Sequence, residues 1–184
     1  KTRTLLARGI ARRVVALERN PTRSRRLAAA LAAAGRRGEA LVVRADSSRP
    51  PLPRGSFRSV LLDAPCSGTG TLRKNPEIRW RLAPPDLDRL AAAQRALLSA
   101  ALDLCAPGGT VVYVTCSLEP EENEGVVAAV LAQRGGFRVE RPDVSALPAP
   151  LASALRGDGF FRVVPGASND GFSAAVLRKD GESR

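Results

Sequence analysis

The sequence predicts an α/β fold, a parallel sheet with helices on both faces, and three observations carry the prediction. Short β-branched runs alternate with Ala/Leu-rich stretches of helical length, which is the pattern of strand–helix–strand units. At 184 residues the chain has the length of one ordinary domain, and 44% hydrophobic residues are enough to build a core. No internal repeat and no linker divides it, so residues 1–184 are expected to form one domain.

Taken in order, the opening Lys1 to Ile10 reads as helix. Runs of β-branched residues predict strands at Arg13 to Leu17, Ala40 to Arg44, Ser59 to Asp63 and Thr110 to Thr115. Between the first two, Pro21 opens a helix as a first-turn proline and Gly35 ends it. A longer helix is expected from Pro85 to Cys105. Its Leu87, Leu90, Ala91, Gln94, Leu97, Leu98, Ala101 and Leu102 recur near the helical period, and PGG at 107–109 stops it. Pro120 to Gln133 reads as a helix with Glu121, Glu122 and Glu124 in its first turns, where the macrodipole favours carboxylates. Phe137 to Arg141 and Phe172 to Leu177 are weaker strands, and the Pro/Ala-rich 142–158 between them reads as loop. A doubly wound sheet has a strand before its first helix, with a ligand-binding turn between the two. Neither precedes Lys1, and the chain holds no methionine, so it is expected to lack its first central strand and the turn that follows.

Twenty-nine Lys and Arg face 18 Asp and Glu, a net charge of +11, and 26 of the basic residues are Arg, the side chain that grips phosphate in bidentate fashion. A polyanionic partner accounts for this excess, and so does a GC-rich genome that inflates Arg together with Ala, Gly and Pro. No window approaches the roughly 18 consecutive apolar residues of a membrane span, and the first residues lack a signal peptide's apolar stretch. The chain therefore reads as soluble and cytoplasmic, with no membrane partner. Three cysteines, Cys66, Cys105 and Cys116, are an odd and sparse count that argues against a disulfide framework. The absence of histidine removes Ser-His-Asp hydrolysis and most catalytic zinc sites, and two strand-end cysteines fall short of a structural zinc set, so no metal is expected. Acid, base and nucleophile then come from Asp, Glu, Cys or Lys.

The most informative segment is LLDAPCSGTGTLRKNPEIRW, residues 61–80. A strand ends in Asp63, Pro65 and Cys66 sit in a tight turn, and Ser67, Gly68, Thr69 and Gly70 make a small-residue loop at the carboxyl edge, where open α/β sheets bind ligands. Read as plain structure, the same residues are a small buried cysteine and a turn. VVYVTCSLEPEENEG, residues 111–125, delivers Cys116 to the same edge. Two cysteines at the ends of parallel strands point to one nucleophilic site. Cys105, just before the helix stop, reads as core. An unperturbed thiol of pKa about 8.5 is only a few per cent ionised at neutral pH, and Cys116 is expected to gain from backbone amides and the dipole of a helix starting beside it. Glu18 follows RVVAL and Asp46 follows ALVVRA, where nucleotide-binding sheets place acids for ribose hydroxyls and base. Together with Asp63 they form a row, although solvated loop acids carry the same signature.

These blocks resemble a known family. DAPCSGTG at 63–70, TLRKNPEIRW at 71–80, PGGTVVYVTCSLEPEENE at 107–124 and DGF at 170–172 occur in the order and spacing of the RsmB/Sun (NOP/Sun) S-adenosylmethionine-dependent RNA 5-methylcytosine methyltransferases, and the resemblance spans essentially the whole chain. It implies a Rossmann-like class I methyltransferase sheet, S-adenosylmethionine as cofactor and RNA as partner, ribosomal RNA before transfer RNA. It further implies that Cys116 adds to carbon 6 of the target cytosine, activating carbon 5 for methylation, and that Cys66 assists proton removal and release of product. Asp63 would lie between cofactor and cytosine and accept from the exocyclic amine. Glu18 matches the acid that holds the ribose hydroxyls, Asp46 the acid near the adenine, and Lys1 and Thr2 the end of the first cofactor loop. Ser173 stands where the family commonly has a second Phe.

Two alternatives remain beside this reading. One is a catalytically impaired RNA-binding fragment that keeps the Arg-rich surface, and the other is a tRNA-directed paralogue. A DNA cytosine methyltransferase is disfavoured, because the turn reads PCS with a second cysteine downstream rather than PCQ. For RNA binding, Arg73, Arg79 and Arg81 are the candidate phosphate contacts, and Trp80 either stacks on a base or fills the core.

Overall fold

In a computed structural model, which describes residues 1–36 and 38–181, the strands fall into two sheets. The chain divides correspondingly into two compact units, Lys1–Pro51 and Leu52–Arg184, with the boundary in the proline-rich stretch at 47–55.

The first unit holds α1 (Thr2–Ala7), β1 (Val14–Leu17), α2 (Pro21–Ala33) and β2 (Ala40–Val43). β1 and β2 pair in parallel, Val14 opposite Ala40 through Leu17 opposite Val43. Pro21 opens α2 as expected, and Asn20 caps it: its Oδ1 accepts from the Thr22 and Arg23 amides at 2.9 and 3.0 Å. Gly35 follows the helix at φ +67°, the left-handed turn that lets the chain reverse toward β2.

The second unit holds β3 (Phe57–Asp63), α3 (Ile78–Arg81), α4 (Pro84–Leu104), β4 (Cys105–Thr115), α5 (Glu124–Gln133), β5 (Phe137–Glu140), α6 (Ala149–Ala152), β6 (Phe161–Val163) and β7 (Phe172–Lys179). The sheet order is β3-β4-β7-β5, and β6 shares the β5 edge of β7. β3 and β4 are parallel, joined through α4 as a crossover needs. β7 runs antiparallel to β4, β5 and β6, so the sheet is mixed rather than wholly parallel. The reason lies in the connection: β6 and β7 are joined by a short loop with no helix long enough to carry the chain back. The architecture is α/β and Rossmann-like, and among the described residues β1 and β3 each pair along one edge only.

One face of this sheet packs under α4 and α5. Ala91, Leu98, Ala101 and Leu102 of α4 and Val126, Val127 and Val130 of α5 meet Leu62, Val111, Tyr113, Ala175 and Leu177. Each fully buried Leu or Val contributes about 1.5–3 kcal/mol. On the opposite face, Ala154, Phe161 and Ala174 form a smaller cluster with Val114, Leu155 and Val176. Cys105 lies in the first of these cores, as its position predicts. α4 ends at Leu104, ahead of PGG, and the strand already begins at Cys105. The expected helix from Pro120 is broken: Pro120–Glu122 is a 3₁₀ turn, and α5 starts only at Glu124. The stretch read as loop contains α6, and β6 lies just beyond it. Among the described residues no helix is long and apolar enough to cross a membrane.

Candidate active site

β3 and β4 are parallel, so their carboxyl ends lie at one edge. Asp63 is the last residue of β3, opposite Val114, and its side chain is exposed. The ladder runs one bond further, Ala64 N–H to the Val114 carbonyl at 2.9 Å, and then both chains turn. The two turns put Cys66 Sγ 3.0 Å from Cys116 Sγ, and the Cys116 amide donates to Cys66 Sγ at 3.2 Å. Cys116 is exposed and Cys66 half-buried. The hydrogen bond to Cys116, and burial after it, push the Cys66 thiol up from its ordinary range. Cys66 therefore keeps its proton at neutral pH. The expected helix dipole beside Cys116 is not there: α5 begins at Glu124, and the dipole acts only within about one turn of a helix end.

What fixes the pair is a buried polar network that the sequence reading missed. Glu122, read as a dipole-favoured acid, is fully buried beneath the Cys66 turn. Its carboxylate accepts from the Ser67 amide at 2.9 Å, the Ser67 hydroxyl at 2.5 Å and Gln94 Nε2 at 2.8 Å. Gln94, reaching from α4, also donates to the Pro65 carbonyl at 2.8 Å, so both residues flanking Cys66 are held. The Cys116 turn is held by Asn123, which accepts from Thr115 Oγ1 at 2.6 Å and donates to the Ser117 and Glu119 carbonyls at 3.1 and 2.8 Å. The two turns meet where the Ser67 and Ser117 hydroxyls lie 3.2 Å apart. Tyr113 donates its hydroxyl to the Glu122 carbonyl at 2.6 Å, and burial keeps it a phenol by pushing its pKa up. The one signal in the sequence was Gln94, a polar residue on the apolar stripe of α4, where a buried amide needs a polar partner.

The SGTG loop is packed as backbone. Gly68 is left-handed at φ +79°. The Gly70 amide donates to the Cys116 carbonyl at 2.9 Å, and the Gly171 amide donates to the Gly70 carbonyl at 2.8 Å. A Cβ on Gly70 would lie 2.4 Å from the Gly171 oxygen and 2.8 Å from the Cys116 oxygen. DGF and PCSGTG are thus joined through a position only glycine fills. The RKN segment is joined to the same loop, since Lys74 Nζ pairs with Asp170 at 2.6 Å and Arg73 lies 3.7 Å from it. On α3, Ile78 is buried while Arg79, Trp80 and Arg81 are exposed. Trp80 is 81% exposed, so it is a surface residue and not a core one.

In the first unit, Glu18 directly follows β1 and its amide bonds the Val43 carbonyl at 3.1 Å. Its carboxylate accepts from the Asn20 amide at 2.7 Å and from Arg23 at 3.1 Å. Asp46 follows β2 at the same edge, accepting from the Ser48 amide and hydroxyl at 2.9 and 2.8 Å, which hold its carboxyl below the usual range. Two carboxyl acceptors at the carboxyl edge of a parallel pair suit the donor hydroxyls of a ribose and the amine of an adenine. Lys1 is exposed at the N-cap of α1 and its carbonyl accepts from the Leu5 amide. The structure thus brings Cys66, Cys116 and Asp63 to one edge of the second unit, and Glu18 and Asp46 to one edge of the first.

A family profile described as 16S rRNA methyltransferase RsmB/F matches residues 1–178. Ribosomal RNA small subunit methyltransferase B of Thermus thermophilus is 45% identical over 134 residues, covering 73% of this chain and 32% of the relative. The protein of the same name from Sodalis glossinidius is 38% identical over 169 residues, covering 88% of this chain and 38% of the relative. The chain therefore spans about a third of the length of these curated relatives. Among solved structures, NSun6 from Pyrococcus horikoshii with SFG, an S-adenosylmethionine analogue, superposes with TM-score 0.71 at 27% identity, over 91% of this chain and 41% of that one. With residues 1–178 matched, the chain belongs to the RsmB/F family of 16S rRNA methyltransferases.

Proposed function

We propose that this chain carries the machinery that methylates carbon 5 of a cytosine in RNA, ribosomal RNA foremost, through a covalent bond between Cys116 and carbon 6 of the base. The observation that carries the reading is the thiol pair, Sγ to Sγ 3.0 Å, at the carboxyl edge of adjacent parallel strands. S-adenosylmethionine, which Glu18 and Asp46 would hold by its ribose and adenine, would supply an electrophilic methyl group when bound.

Cys116 ionises and adds to carbon 6, which makes carbon 5 electron-rich. A thiol suits this role because it is strongly nucleophilic and also leaves readily. Cys66 holds a proton against Cys116 in the resting pair and, once methylation is complete, assists transfer of the carbon 5 proton to solvent, the C–H electron pair reforming the ring double bond as the Cys116–carbon 6 bond breaks and Cys116 leaves as thiolate. Asp63, at the end of β3, accepts from the exocyclic amine and so favours cytosine over uracil. Glu122, Gln94 and Asn123 touch no substrate and act as positioning residues, holding both sulfurs on clamped backbone. Arg79 and Arg81 flank the exposed Trp80 on α3, a basic and aromatic surface suited to single-stranded RNA.

Cys116→Ala tests the reading. Methyl transfer from tritiated cofactor is expected to vanish while calorimetry finds cofactor affinity within a few fold of the parent, since the thiol acts on the base. Full transfer by that variant would eliminate the assignment.

A further inference from the structure

The same two thiols have a second chemistry available. Neither Cys66 nor Cys116 is in a disulfide, and their sulfurs at 3.0 Å lie inside van der Waals contact for two sulfurs. Neighbouring strands run about 4.8 Å apart, within the Cα separation of about 4.4–6.8 Å that a disulfide bridges. The β3–β4 ladder holds that spacing as far as the Ala64–Val114 bond, and each of those residues stands two positions before one of the cysteines. Each turn is clamped from beneath, Cys66 through Ser67 and Pro65 and Cys116 through Gly70 and Asn123, so closing the bond asks for side-chain rotation and little else. Cys116 is exposed to solvent-borne reagents, and Cys66 stands directly behind it. Cys105 is fully buried with its thiol turned to the Ala106 carbonyl, which leaves it out of this chemistry.

We infer that Cys66 and Cys116 are a redox modification site, closing to a reversible disulfide when the protein meets hydrogen peroxide. The Cys116 thiolate attacks the peroxide, the O–O bond breaks, and a sulfenic acid forms on Cys116 as hydroxide leaves and is protonated to water. Cys66 then attacks that sulfur. The S–S bond forms as the S–O bond breaks, and the departing hydroxide takes the Cys66 proton as a second water. Two sulfurs are oxidised by one electron each and the peroxide is reduced to two waters. A dithiol reverses the step by exchange, as it does for accessible disulfides. Cys66 thereby acts as the resolving thiol that keeps Cys116 from passing to the irreversible sulfinic acid. That the oxidised protein cannot methylate rests on the role proposed above for Cys116.

The experiment exposes the protein to hydrogen peroxide, unfolds it, and counts thiols with a maleimide by mass spectrometry. The count is expected to fall from the three cysteines of the chain to one, with a peptide joining Cys66 to Cys116, and dithiothreitol is expected to restore all three. Cys105→Ser should leave the joined peptide unchanged. In Cys66→Ser, Cys116 should advance to a sulfinic acid that dithiothreitol does not reverse. The inference is overturned if the parent keeps three thiols under peroxide that oxidises free glutathione, if a cross-link includes Cys105, or if Cys116 reaches sulfinic acid while Cys66 stays a thiol. This readout uses neither RNA nor cofactor, so its failure leaves the methyl-transfer reading standing. Conversely, a disulfide that forms while Cys116→Ala still methylates would sink only the proposed function.

Discussion

The two units of the chain hold their candidate residues by different means. In Lys1–Pro51 the buried hydrophobic residues among those described are Leu6, Ala16 and Leu31, and the carboxylates of Glu18 and Asp46 are held by surface partners, Asn20 and Arg23 for Glu18 and Ser48 and, at 3.8 Å, Arg19 for Asp46. In Leu52–Arg184 a continuous core underlies the sheet, and the cysteine turns are held by buried hydrogen bonds between residues as far as 55 positions apart. The difference matches the roles proposed for each group. Acceptors for hydroxyl groups tolerate some freedom, whereas a sulfur that must reach a ring carbon needs its position fixed to within a fraction of an ångström.

Four measurements sharpen or break this comparison. The largest effect is expected in native-state hydrogen exchange: amides of β4 and β7 should exchange at least about 100-fold more slowly than those of β1 and β2, because the opening free energy follows the buried contacts. Equal protection in the two units would erase the distinction. Next, Glu122→Ala strands the Ser67 amide and hydroxyl and the Gln94 amide in a dry site, and should lower the stability of the second unit by about 3 kcal/mol. Urea melts followed by exchange at β1 and β4 separately should show that loss at β4 alone. Gly70→Ala drives a methyl group into the Gly171 and Cys116 carbonyls and should cost about 2 kcal/mol. Because Cys116 shifts with it, the rate of its alkylation should change too, which a surface turn at SGTG would not produce. The smallest effect is a gain. Ser173 is buried in β7 with its hydroxyl unpartnered among the described residues, so Ser173→Ala should raise stability by about 1 kcal/mol in the same melts.

Much of the fold was legible because the strands that end at the site are runs of Val, Leu and Tyr abutting turn residues, and the strand ends name the edge. Asp63, Cys66, Cys116, Glu18 and Asp46 could all be assigned to strand ends on that basis. The direction of β7 was not legible, since a strand reads alike in either direction and only the connection before it decides. β6 is three residues long, too short for alternation to register. Glu122 was hidden for a different reason. An acid one residue beyond a proline suits an exposed helix start as well as a buried carboxylate ringed by donors, and only the partner Gln94, 28 positions away, separates the two. The pairing of the thiols themselves follows from β3 and β4 being neighbours, a fact of topology that spacing along the chain does not contain.

In the proposed mechanism Cys116 bonds to the base and Cys66 frees it. Cys66→Ala, incubated with cofactor and cytosine-containing RNA and run on a denaturing gel, should accumulate a slow-migrating protein–RNA species whose cross-linked peptide contains Cys116, and Cys66→Ala/Cys116→Ala should give none. A gel without that species, or one on which it survives in the double variant, would contradict the account.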